Sequence, residues 1–229
     1  MIDMVLLGDE RIAVVPVVEC GEPLVDMRAM SECDMDDRQY DPDGWYARIR
    51  SSVAVRLRAA QRSLPAGFRL VVVEGYRPPA LQRRYFEAHV NRLAARHPGW
   101  PTALVHHQAS AYVAPPEVAP HPTGAAVDVT LRDPGGRLAW MGTEVNVSPD
   151  DSDGATYTGA ANISSDSRAN RSILCAAMLT AGFVNYPTEW WHWSFGERYW
   201  AHATGAASAR YGPLATPRGV DGLSPPRSA

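Results

Sequence analysis

Apolar residues recur every three or four positions in three stretches of the chain and bunch into short runs between them, which predicts three helices and several strands. Tyr46, Ile49, Val53, Leu57, Ala60 and Leu64 keep that spacing within residues 44 to 64, the stripe of an amphipathic helix that Pro65 and Gly67 then stop. Leu81, Tyr85, Phe86, Val90 and Leu93 mark a second helix, opened by Pro78 and Pro79 and ended near His97-Pro98-Gly99. A third carries Ile173, Leu174, Ala177, Met178 and Ala181, with Ser165 or Asp166 as its cap and Gly182 as its stop.

The runs read differently. Phe68 to Glu74, rich in Val and followed by Gly75, has the length and composition of a buried strand, as does Ala125 to Leu131. Asp133-Pro134-Gly135-Gly136 is a turn leading into a further strand, Arg137 to Met141. The runs 183 to 186 and 192 to 195 read as two strands joined by Pro187-Thr188-Glu189, and residues 12 to 27 as short extended pieces. Segments 98 to 123 and 148 to 167 lack a pattern and read as loops, and from Thr216 onward core residues almost vanish. Helices and strands do not alternate as in a doubly wound sheet. The prediction is a single α+β domain over 1 to 215, a small, largely antiparallel sheet flanked by helices, with a disordered tail at 216 to 229.

Composition narrows the class. With 229 residues, 45% hydrophobic and 21% charged, the chain has the make-up of an ordinary soluble core. No stretch approaches the ~20 apolar residues of a membrane span, and Asp9, Glu10 and Arg11 interrupt the N-terminal segment too early for an export signal. A cytoplasmic protein is expected. A net charge of −3 offers no basic field to a nucleic acid. Cys20, Cys33 and Cys175 have neither disulfide nor zinc-thiolate spacing, so reduced thiols are expected. Oligomeric state has no signature in the sequence. Seven tryptophans, four of them between 190 and 200, are the unusual feature.

Two stretches concentrate metal-ligand chemistry: His121 to Asp128, and Glu189-Trp190-Trp191-His192. A hydrolytic zinc takes three ligands from His and carboxylate and leaves a position for water. His121, Asp128 and His192 supply such a set for one ion. Glu189, three residues before a ligand, is placed to take a proton from that water. Arg77, where a strand hands over to a helix beside Tyr76, is the candidate cation for a developing oxyanion. Each residue also has a plain reading: a loop histidine at 121, a packed histidine at 192, a rim carboxylate at 189, and core packing for Trp190 and Trp191 instead of a substrate platform. Asp128 within an apolar strand is harder to dismiss, since a buried carboxylate needs a partner.

Together, Glu74-Gly75-Tyr76-Arg77-Pro78, His121-x-x-Gly124-x-Ala126-x-Asp128, Met141-Gly142-Thr143 and Glu189-Trp190-Trp191-His192 resemble, in order and approximate spacing, the zinc D-alanyl-D-alanine dipeptidases. The resemblance implies a zinc D,D-peptidase fold and a small peptide substrate. It also implies zinc at His121, Asp128 and His192, Glu189 as general base and acid, and Arg77 at the transition state. Two positions tied to substrate depart from the family pattern. Ala119 stands where Ser is usual, and Asn146 where an Asp is associated with the amino group of the dipeptide. Asn keeps hydrogen bonding but loses the charge that makes such a contact roughly twice as strong. D-alanyl-D-alanine is the default substrate, with Glu144 or one of Asp150, Asp151 and Asp153 available to restore the charge. The alternatives are another small peptide or amide without a free ammonium, a D,D-carboxypeptidase, or a metal-binding relative without turnover.

Overall fold

The computed structural model describes residues 4–110 and 112–215. From the N-terminus it runs through a helical turn, α1 (Glu10–Ala13), and strands β1 (Leu24–Asp26), β2 (Asp34–Met35) and β3 (Arg48–Arg50). Helix α2 (Ser51–Ser63) and strand β4 (Arg69–Glu74) lead to helices α3 (Pro79–Arg96) and α4 (Thr102–Ala109). Then come β5 (Ala126–Arg132), α5 (Ser165–Thr180), β6 (Val184–Asn185), β7 (His192–Ser194) and α6 (Arg198–Thr204). The tail expected at 216–229 lies outside the described residues.

Five strands form the main sheet in the order β2-β4-β5-β7-β6, while β1 and β3 form a separate antiparallel pair. Only β2 and β4 run parallel, so the sheet is largely antiparallel as predicted. Side chains alternate between faces of a strand. Val127, Val129 and Leu131 of β5 join Leu70 and Val72 of β4, Leu57 of α2 and Leu174 of α5 in the main core. Asp128 therefore projects to the opposite face. Register brings Glu74 opposite Asp128 and Asp128 opposite His192, so three polar side chains lie on one rung across β4, β5 and β7.

The expected helix over 44 to 64 is shorter than its stripe. Tyr46 and Ile49 are buried as the stripe demands, but in a 3-10 turn at Trp45–Ala47 and in β3. Tertiary pairing overrides the helical period here, because β3 pairs with β1 and its end packs against Gly75. Segment 98 to 123 is not all loop: α4 turns Val105 and Ala109 onto Leu93. Two inward residues and adjacent His106 and His107 were too weak a stripe to reveal it. Arg137 to Met141 makes one bridge, Leu138 to Arg132, instead of a strand. Helix α5 is capped by Ser164, one residue before the expected position, through its hydroxyl and the Ser167 amide.

Candidate metal centre

The site assembles where β4 ends and β5 and β7 begin. At the end of β4, the Gly75 amide bonds the Tyr46 carbonyl and the Tyr76 amide bonds the Arg48 carbonyl, each at 2.6 Å. A β-carbon on Gly75 would lie 2.5 Å from the Arg48 carbonyl, so only glycine lets the strand approach so closely. Before β5 the chain makes a 3-10 turn, His121–Thr123, closed by Gly124 in the left-handed region at φ 69°. Buried Arg50 pins this turn, donating from Nε to the Thr123 carbonyl at 2.8 Å and from Nη1 to the Glu22 carbonyl at 2.6 Å.

His121, Asp128 and His192 are all buried, and one ligand atom from each falls within 4.8 Å of the others. His121 places Nδ1 2.7 Å from the Gly75 carbonyl, which requires a proton there and turns Nε2 toward Asp128 Oδ1 at 3.4 Å. His192 Nδ1 meets the same oxygen at 3.0 Å. Burial alone would raise the Asp128 pKa, but His121 and His192 hold it below the usual carboxylate range. Burial lowers His192; at His121 burial is again the largest influence, but the charge and hydrogen bond of Asp128, together with Glu74, leave its pKa raised. His192 Nε2 is buried without a hydrogen-bond partner among the described residues. Two imidazoles converging on one buried carboxylate oxygen, with one ring oriented by a carbonyl and spare capacity on the other, fit a divalent ion of the zinc type.

Arg77 is fixed on both sides. Nε and Nη2 reach the two oxygens of buried Glu74 at 2.7 and 2.5 Å, Nη1 reaches Gln82 Oε1 at 2.8 Å, and the guanidinium lies 4.5 Å over the Tyr85 ring. Three of its five N–H groups are thus engaged and two remain. Burial opposes its charge, but Glu74 outweighs burial and raises its pKa, so it stays cationic. Gln82 is itself held through Nε2 to the Ala114 carbonyl at 2.8 Å.

Glu189 is 9% exposed and sits in the connector between β6 and β7. Burial first, and the Asp128 charge second, push its pKa well above the ordinary glutamate value, while Arg77 pulls the other way. The structure thus brings together five of the residues singled out by sequence. The others have different surroundings. Tyr76 is buried edge-to-face against Trp45 at 5.9 Å, and Ala119 is buried beside Tyr186 and Tyr199. Trp190 and Trp191 are core residues packed edge-to-face at 5.4 Å, with Trp190 Nε1 donating to Thr143 Oγ1 at 2.8 Å. Asn146 is exposed and left-handed at φ 63°, a conformation Asn tolerates better than most residues. Its carbonyl accepts from the Tyr112 hydroxyl at 2.6 Å. Glu144 pairs with Arg38 at 3.1 Å, and Asp151 accepts from Ser148 Oγ at 2.6 Å.

Sequence reasoning missed Glu74 and Gln82 as the anchors of Arg77, and Arg50 as the anchor of the His121 turn. A signal existed for Gln82: with His89 and Leu93 it lies on the buried face of α3, where a polar residue needs a partner.

Residues 42–206 match the family described as D-ala-D-ala dipeptidase. A D-alanyl-D-alanine dipeptidase of Synechocystis sp. is 28% identical over 215 residues, covering 82% of this chain and 87% of its own. One from Streptomyces coelicolor is 33% identical over 146 residues, covering 61% and 68%. The solved LdcB LD-carboxypeptidase is similar at 19% identity and a TM-score of 0.47, covering 82% of this chain and 75% of its own.

Proposed function

This chain belongs to the D-Ala-D-Ala dipeptidase family and is a peptidase; from that premise we propose that it hydrolyses a small dipeptide, D-alanyl-D-alanine by default, with one zinc ion. His121, Asp128 and His192 would hold the ion. When bound there, zinc supplies a polarised water and a Lewis acid for the scissile carbonyl. The observation that carries the proposal is the convergence of these three side chains, with Glu189 buried three residues before His192 and Arg77 anchored on the neighbouring strand end.

Glu189 takes the proton of the attacking water and returns it to the departing amine. Its raised pKa suits the second task, because a carboxyl that is costly to ionise holds the proton until the amine takes it. Arg77 offers its two remaining N–H groups to the carbonyl oxygen as charge develops there, and its bonds to Glu74 and Gln82 remove the cost of orienting it. The products are two molecules of D-alanine. Residues 1–215 act as one catalytic domain in this proposal, in the cytoplasm. Among the described residues no helix is long and apolar enough to cross a membrane.

Tyr76, Ala119, Asn146, Trp190 and Trp191 remain the proposed substrate-side positions. Trp190 and Trp191 serve by packing, since both are buried. The test is D-alanine release from D-alanyl-D-alanine with and without zinc, alongside N-blocked dipeptides. Release should stop on chelation and in Glu189→Ala, which should still bind zinc. Turnover retained by Glu189→Ala would sink the assignment of the base, and preference for the blocked peptide would replace the default substrate.

A further inference from the structure

The proposed general base and a proposed metal ligand sit at opposite ends of a four-residue stretch, Glu189 to His192, that begins two residues after Pro187 and belongs to a strand only at its last residue. Backbone bonds close this turn, from the His192 amide to the Glu189 carbonyl at 3.1 Å and from the Tyr186 amide to the His192 carbonyl at 3.0 Å, and a side chain reinforces both. The side chain of Asn185 spans them: Nδ2 donates to the Glu189 carbonyl at 3.1 Å and to the His192 carbonyl at 3.0 Å. Thr158 donates from Oγ1 to Asn185 Oδ1 at 2.5 Å. Both amide hydrogens and the amide oxygen are therefore used, and the opposite orientation would turn the oxygen toward two carbonyls.

Thr158 is itself held. Its amide bonds the Pro187 carbonyl at 2.9 Å, and the Trp190 amide bonds the Thr156 carbonyl at 3.0 Å, so segment 156 to 158 clamps the same connector. Behind it, buried Arg171 donates to the carbonyls of Ala155, Tyr157 and Met141 at 2.7, 2.6 and 2.7 Å. The polar segment thus runs from an anchored guanidinium to the Asn185 amide.

We propose that Asn185 is a positioning residue that locks Glu189 and His192 into one unit, with Thr158 fixing its amide. This rests on the roles proposed above for Glu189 and His192. Asn185 touches neither substrate nor metal. It acts through two backbone carbonyls, and losing it leaves each with its backbone donor alone, so that the base and the ligand loosen together.

The test compares wild type, Asn185→Ala, Asn185→Asp, Thr158→Val and His192→Ala. Three readouts are taken: zinc affinity by chelator competition, kcat and KM on D-alanyl-D-alanine, and amide hydrogen exchange of the 186 to 192 connector. Supporting groups around a metal ligand are typically worth ~10- to 100-fold. Both Asn185 variants should lose kcat and zinc affinity in that range, with KM little changed and connector exchange faster. Asn185→Asp is the decisive variant: it keeps the shape but as a carboxylate cannot donate, so it fails if donation matters and succeeds if only volume does. Thr158→Val should show the same pattern more weakly, and it carries the test if the Asn185 variants do not fold. Wild-type affinity, kcat and exchange in Asn185→Asp would overturn the proposal. If His192→Ala binds zinc as wild type does, the metal assignment fails separately, and connector exchange alone then judges Asn185: unchanged protection sinks it.

Discussion

At the scale of single residues, environment sets what each site group can do. Glu189 has a carboxyl whose folded pKa lies above its ordinary value of 4.5, chiefly through burial. For such a group the favourable, protonated state is fully present at low pH and is lost as pH rises through the folded pKa. Glu189→Gln removes that loss. In the metal-free proteins the variant should melt higher than wild type at about pH 8 and no higher at about pH 4, as read by thermal denaturation. The same substitution should lower kcat ~100- to 10,000-fold while leaving zinc bound, because only the proposed proton acceptor is gone. In wild type the acid limb of kcat/KM should rise as Glu189 ionises. Arg77 makes a second residue-level case. Lysine keeps the charge but cannot reproduce the two parallel bonds to Glu74 and the third to Gln82. Arg77→Lys should therefore cost ~100-fold or more in kcat with a smaller effect on KM, measured by steady-state kinetics.

At the scale of elements, strand ends and turns aim the side chains, and their tolerance is set by close approach. Gly75→Ala would drive a β-carbon against the Arg48 carbonyl and the Ile49 side chain at 2.5 and 2.7 Å. Denaturant unfolding should show a loss of about 1–3 kcal/mol, as for other overpacked sites. Activity should fall as well, because the displaced backbone carries Arg77 and offers its carbonyl to His121. The stripes that revealed α2, α3 and α5 are apolar faces on helices long enough to repeat. Helix α4 has eight residues and two buried positions, so its stripe could not be distinguished from loop. Strands β6 and β7 were legible from their apolar runs, but only two and three residues of each pair in the sheet. Hydrogen bonding to a neighbour, which sequence does not display, decides where a strand stops.

At the scale of the whole molecule, a metal that binds only the folded site should couple activity to stability. Zinc at ~100 times its dissociation constant adds about 2.7 kcal/mol, so chelation should lower Tm by several degrees and zinc should restore it, in wild type but not in His121→Ala. The sequence by itself determined the α+β class and the largely antiparallel sheet, and it singled out His121, Asp128, His192, Glu189 and Arg77 as candidates, because residue type and local spacing carry that information. It did not reveal how these groups are held. Only the tertiary structure decided that Glu74, Asp128 and His192 share one rung, that Glu74 and Gln82 orient Arg77, and that Arg50 fixes the His121 turn. It also placed Asn185 across the connector between Glu189 and His192. Those relations are bonds between side chains and distant backbone, formed only once strands pair in register, and no periodicity along the chain records them.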